Sequence, residues 1–149
     1  MHRYAVLFGL IGSLASAEPT LTGTWAGAKP ELPAGATVVL AVYDREGTCC
    51  GGPAAALAGL GSLRTALQGQ AGVCLVAVDV TKAATAEQAT AAAALHHADG
   101  IPLLVDGPRT TAAALGVEID MTMTYIICRA DGAREVVHSP NQVKRKLGL

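Results

Sequence analysis

Two adjacent cysteines, Cys49 and Cys50, are the first residues in this sequence that could do chemistry. They sit between an apolar run, Thr37-Val-Val-Leu-Ala-Val-Tyr43, and a helical stretch for which Pro53 fits the first position. A thiolate at a helix N-terminus faces unpaired N–H groups and the positive end of the dipole, so its pKa falls and attack on a disulfide or peroxide comes within reach. Adjacency limits that chemistry. A bridge between neighbours closes a small ring, strains the intervening peptide and is readily reduced. Two readings stay open on spacing alone. Either one thiol attacks and its neighbour or an outside thiol resolves the product, or the pair are small residues, free or statically bridged, in an ordinary loop. The other two cysteines, Cys74 and Cys128, lie inside apolar β-rich runs and read as small buried hydrophobes. His96 and His97 stand near the end of a helix, where they complement its negative pole. His138 ends a strand remote from the cysteine pair. No Ser–His–Asp set, phosphate loop or paired carboxylates stands out, and no cofactor is expected.

The elements that must position Cys49 and Cys50 follow from periodicity. Thr37–Tyr43 and Gly72–Val80 are continuous apolar runs, as strands buried on both faces require. Between them Ala54–Gln70 carries Leu57, Leu60, Leu63 and Leu67 three or four apart, one apolar stripe of a helix. Thr81–Ala98 is alanine-rich and reads as a second helix. Gly100–Asp106 is short and extended, with Pro102 suited to a sheet edge. Thr110–Leu115 reads as a short helix closed by Gly116. Met123–Arg129 and Arg134–His138, joined by Ala130-Asp-Gly-Ala133, read as an antiparallel hairpin. Ser139-Pro-Asn-Gln142 opens a last helix with capping-box spacing and proline at its first position, Val143, Leu147 and Leu149 supplying its apolar side. Two strand–helix crossovers imply parallel strands and the hairpin adds antiparallel ones. The fold class is α/β: a mixed central sheet with helices on both faces.

The chain has 149 residues, and its first seventeen have the pattern of an export signal. His2 and Arg3 precede the apolar run Tyr4–Leu14, and Ala15-Ser16-Ala17 is a small-x-small cleavage signature. That run is too short for a hydrocarbon core about 30 Å thick. Cleavage near Ala17 leaves residues 18–36 as an irregular lead-in, with Trp25 covering one end of the core, and residues 37–149 as one domain. The product is expected in the periplasm or outside the cell, with no membrane attachment. Loss of Arg3 moves the formal charge from −1 to about −2. That balance offers no basic face for nucleic acid and no polybasic patch for anionic lipid. No segment speaks to oligomeric state.

Three segments carry a resemblance to thioredoxin-like proteins. The first is Val38-Val-Leu-Ala-Val-Tyr43 leading to Cys49-Cys-Gly-Gly-Pro53. The second runs from Val76-Ala-Val-Asp-Val80 through Ala98-Asp-Gly-Ile-Pro-Leu-Leu-Val-Asp106 to Ala113-Ala-Leu-Gly-Val117. It is similar to the stretch of redoxins and peroxiredoxin-like proteins (the AhpC/TSA type) that passes through PxLxD to AxxxGV. The third, Met123-Thr-Tyr-Ile-Ile-Cys-Arg-Ala-Asp-Gly132, resembles their PTxFLIDxDG hairpin. Together they cover nearly all of residues 37–149 and imply a thioredoxin-like three-layer sandwich.

The resemblance implies catalytic roles for Cys49 and Cys50, a substrate-side loop at Thr122 and Met123, and a thiol/disulfide protein or a peroxide as substrate. This sequence departs from the family in three places. The second cysteine of CxxC is missing from its usual spacing. The threonine that peroxiredoxins carry three residues before their cysteine is replaced by Glu46 relative to Cys49 and by Gly47 relative to Cys50. Met123 stands where a cis-proline is common, and methionine almost never takes a cis peptide. In this fold the first strand separates those bearing Cys74 and Cys128, so their Cα atoms should lie about 10 Å apart, beyond bridging distance. A second likeness is to copper-delivery proteins of the same fold, whose DHS histidine joins two loop cysteines around copper. Met121 takes that histidine's place, and Cys49, Cys50 and Met121 would be a soft donor set suited to Cu(I). Three functions are therefore open: an exported redoxin-like thiol–disulfide oxidoreductase or thiol peroxidase, a non-catalytic binding or structural domain of the same fold, and a copper-handling module.

Overall fold

The computed structural model describes residues 18–47, 52–119 and 123–149. The export signature, Cys49, Cys50, Met121 and Thr122 lie outside them. The described residues form ten elements: β1 (Thr24–Trp25), β2 (Thr37–Tyr43), α1 (Gly52–Leu67), β3 (Val73–Asp79), α2 (Ala86–Leu95), β4 (Leu103–Val105), α3 (Thr110–Ala114), β5 (Thr124–Cys128), β6 (Arg134–Val137) and α4 (Pro140–Leu147). One mixed sheet has the order β1-β4-β3-β2-β5-β6. β2, β3 and β4 run parallel, while β5 is antiparallel to both β2 and β6.

β2 suits the centre because Val38–Val42 are all apolar, and six of its seven residues are buried. Its alternating side chains feed two cores. Val39, Ala41 and Tyr43 point to the face covered by Leu57, Leu60, Leu63 and Leu67 of α1, Ala89 and Ala93 of α2, and Val143 of α4. Val38, Leu40 and Val42 point to the other, where Leu115, Leu21, Trp25 and Leu32 close the layer. The leucine stripe expected on α1 is buried as the spacing requires. Leu147 packs against the first core, but Leu149 stays exposed.

Three details differ from the sequence expectation. Thr81–Ala84 is a turn, and α2 starts only at Ala86, where Thr85 accepts from the Gln88 amide and the Gln88 side chain accepts from the Thr85 amide. That reciprocal cap fixes the start more firmly than alanine propensity can extend it backward. Pro102 is not at a sheet edge, because β1 pairs with β4 on its outer side. Proline is tolerated there because it precedes the first ladder residue, and its carbonyl accepts from Ala77. The lead-in therefore contributes an edge strand as well as a Trp25 cover. At α4, Ser139 caps the Gln142 amide while Gln142 turns back to the amide of His138, one residue earlier than a full capping box would have it.

Candidate functional site

The buried polar side chains gather at one end of the sheet. Asp79, Thr81, Asp106, Thr111 and Thr124 are each at most 3 % exposed. Asp79 ends β3, Thr81 and Asp106 follow β3 and β4, Thr111 lies in α3 just beyond, and Thr124 begins the oppositely directed β5. All are at the C-terminal edge of the parallel strands, the edge from which β2 leaves for the cysteine-bearing segment. In open α/β sheets this edge is where ligands are handled, because the loops and helix N-termini converge on it.

Two ion pairs tie that edge together. Arg45 Nε donates to Asp79 Oδ2 at 2.7 Å, and the Arg45 amide donates to Thr81 Oγ1 at 2.9 Å. Asp79 Oδ1 accepts from the Thr81 amide at 3.0 Å, so this carboxylate, with no exposed surface, is held by one cation and one amide. Arg109 Nη2 meets Asp44 Oδ2 at 2.7 Å, and Asp44 Oδ1 accepts from the Glu46 amide. Arg109 adopts φ 61° to make its turn, and Asp106 caps the α3 amides of Thr110 and Thr111 beside it. The first residues after β2 are thus anchored to the ends of both β3 and β4. Sequence reasoning missed these pairs, although one signal was visible: Asp79 interrupts an otherwise apolar strand.

Tyr43, the last residue of β2, lies in register with Asp79. On its other side the ladder pairs Val42 with Thr124, so Met123 is the position opposite Tyr43. Met123 is 7 % exposed and packs in the core under α1. Burial, reinforced by the Asp79 charge and offset in part by Arg45, pushes the Tyr43 phenol far above its ordinary range. Of the residues singled out in the sequence, Met123 is therefore brought to this edge, while Cys49, Cys50, Met121 and Thr122 are outside the described residues.

Cys74 and Cys128 are placed as expected. Both are free, and both pair with Val38 of the central strand, from opposite sides. They lie near the end of the sheet away from Tyr43. Burial pushes the Cys128 thiol up, against a smaller opposing pull from Arg134. His96 caps the C-terminus of α2 and His97 follows in the left-handed region at φ 58°. His138 is exposed beyond β6. Among the described residues no group of three His, Cys, Asp or Glu side chains could hold a metal ion, and no helix is long and apolar enough to cross a membrane.

No protein-family model matches the chain, and no curated protein matches it. Solved structures do. A secreted disulfide oxidoreductase of Mycobacterium tuberculosis, homologous to E. coli DsbE, is 17 % identical over 76 % of this chain and 81 % of its own, with a TM-score of 0.58. A thiol-disulfide oxidoreductase from Bacteroides fragilis is 16 % identical over 80 % of this chain and 86 % of its own, with a TM-score of 0.60. The bacterioferritin comigratory protein of Xanthomonas campestris, described for its alkyl peroxide reduction activity, is 16 % identical over 77 % and 80 %, with a TM-score of 0.58. A six-stranded mixed sheet, helices on both faces and these neighbours together identify the fold of this chain as thioredoxin-like.

Proposed function

We propose that the chain is an exported redoxin-like protein that acts on a thiol/disulfide protein or a peroxide through Cys49 or Cys50. What supports this most is the order of parts. β2 ends at Tyr43 and α1 opens at Gly52, so the cysteines belong to the short connection between them, at the edge where the buried polar groups converge. The fold is shared with disulfide oxidoreductases and with a protein that reduces alkyl peroxides.

The chemistry needs no cofactor. With a disulfide, the thiolate sulfur attacks one sulfur, a mixed disulfide forms and the other sulfur leaves as thiolate. With a peroxide, the thiolate attacks one oxygen, the O–O bond breaks, and the products are a sulfenic acid and an alcohol or water. A second thiol, the neighbouring cysteine or one from outside, then resolves the intermediate as a disulfide.

Thiol titration of the mature protein, with Cys49→Ser and Cys50→Ser alongside, tests the proposal. One of the two should ionise well below about 8.5 and its loss should abolish turnover of a peroxide or a disulfide. Ordinary ionisation of both thiols with no turnover of either substrate would sink it. The adjacency of Cys49 and Cys50 favours a second reading, a domain of the same fold without turnover, and that outcome would establish it.

A further inference from the structure

β4 covers only the second half of β3. The ladder between them runs from Ala77 to Asp79, while β3 itself starts at Val73 and is paired with β2 along its whole length. Val73, Cys74, Leu75 and Val76 therefore form an outward edge with which no described strand pairs. Alternation along the strand fixes where its peptide groups point. The Ala77 amide donates to the Pro102 carbonyl and the Asp79 carbonyl accepts from the Asp106 amide, so odd-numbered residues face outward. Even-numbered ones face β2, as the bond from the Thr37 amide to the Gly72 carbonyl requires. Pro102 ends the ladder: it stands where the next donor to the Leu75 carbonyl would be, and proline has no N–H. Among the described residues the Leu75 amide and carbonyl and the Val73 carbonyl have no backbone partner, and the Val73 amide has only a long contact of 3.4 Å with the Gln70 carbonyl.

Open strand edges are normally blunted by charge. β6, at the margin of the sheet, carries Arg134 and Glu135, and Gln142 occupies the His138 amide just beyond it. The open half of β3 has no such guard. No charged residue stands between Arg64 and Asp79, and Arg64 is already tied to the Asp99 carbonyl. Val73, Cys74 and Leu75 are all half-buried, and Val73 and Leu75 form one wall of an open groove of about 380 Å³ whose other wall is the end of α1, at Leu67 and Gln68.

We propose that this edge pairs with the same edge of a second copy of the chain, antiparallel about a two-fold axis through Cys74. In that register Val73 of each copy faces Leu75 of the other, and these are the two residues whose peptide groups point outward. The Leu75 amide donates to the facing Val73 carbonyl in both directions, and the Val73 amide lies against the Leu75 carbonyl that Pro102 leaves unbonded. The length of the opening fits a second copy. Val76 faces Gly72, where the other strand enters from a left-handed turn at φ 77°, and one residue further an incoming strand would meet Pro102. A two-fold also sets like residues side by side, which charge would oppose and this stretch lacks. The apolar side chains of Val73 and Leu75 then fill one another's groove beside α1. The contact is small, of the weak and reversible class.

Sedimentation of the mature protein under reducing conditions tests it. The weight-average mass should approach twice the monomer's as concentration rises from about 1 μM to about 1 mM. Val73→Lys and Leu75→Glu, each checked for its fold by circular dichroism, should stay monomeric alone. An equimolar mixture of the two should pair, because the register sets the new lysine against the new glutamate. Should either variant fail to fold, the intact edge reports its own register. A Cys49→Ser, Cys50→Ser, Cys128→Ala chain keeps only Cys74, which occupies the non-hydrogen-bonded pair. Its Cα then lies about 4.5 Å from that of the other copy, within disulfide range, so mild oxidation should cross-link the dimer. A monomer throughout, a dimer that survives both substitutions, or one that does not cross-link through Cys74 would overturn the proposal. Slow amide exchange at Leu75 in dilute protein would overturn it too, since a segment of the chain itself would then cover the edge. None of these outcomes touches the redox reading.

Discussion

Asp79 accepts from Arg45 Nε and from the Thr81 amide, with no exposed surface of its own. Removing it in Asp79→Ala leaves the Arg45 guanidinium without its counter-charge and the Thr81 amide without an acceptor. Breaking a fully buried pair costs about 3–5 kcal/mol. The Arg45 side chain keeps 20 % exposure, so water offsets part of that, and about 2–3 kcal/mol is expected. Urea unfolding should show it as a lowered midpoint at unchanged slope. Cys128 makes a prediction with a sign that can be worked out. Its thiol is raised above 9.0 by burial, so the folded chain holds a proton that the unfolded chain releases first. That contribution is complete below about 9 and is lost as pH rises toward the folded value. Cys128→Ala, measured by urea unfolding under reducing conditions, should flatten the alkaline fall of stability in that window. The fall caused by Tyr43 and Tyr125, both raised above 10.0, should persist beyond it.

At the scale of elements, α1 approaches the end of α2 more closely than a side chain permits. A Cβ at Gly61 would lie 2.7 Å from the His97 carbonyl oxygen, a backbone atom in the left-handed turn that ends α2. Arg64 of α1 also donates to the Asp99 carbonyl there. Gly61→Ala is expected to cost about 1–3 kcal/mol despite the helix propensity it gains, read from thermal or urea unfolding. Gly59→Ala meets the Pro140 ring at 3.3 Å and the Tyr125 hydroxyl at 3.7 Å, both side-chain atoms, and should be near neutral. Elements of this kind were legible where the signal was local. The α1 stripe, the turn at Gly116 and the start of α4 depend on residues a few positions apart, and each stands where expected. β1 was not legible, because two residues carry no periodicity and pair only through a partner eighty positions away. The start of α2 was over-extended for a different reason: alanine favours helix everywhere, while Thr85 and Gln88 say where it begins.

For the whole molecule, the lead-in is part of the fold. It covers the outer edge of β4, supplies Leu21, Trp25 and Leu32 to the second core, and meets Thr111 through paired bonds between that hydroxyl and the Thr22 backbone. Deleting residues 18–27 should lower Tm by at least about 5 °C and raise light scattering on heating, since an open strand edge invites pairing between chains. The site was legible only in outline. The cysteine pair and the strand and helix around it were visible, but Asp44–Arg109 and Arg45–Asp79 join residues far apart in sequence, and no spacing rule links them. The two thiols flanking Val38 carry one more consequence. Cys74 keeps partial contact with solvent, while Cys128 is sealed against the central strand. A small alkylating reagent will therefore mark Cys74 in the native protein and reach Cys128 only through opening of the sheet. The ratio of the two labelling rates then measures how often the molecule opens, without denaturant. The two strand cysteines thus serve as a clock and its reference for the fold that holds the other pair.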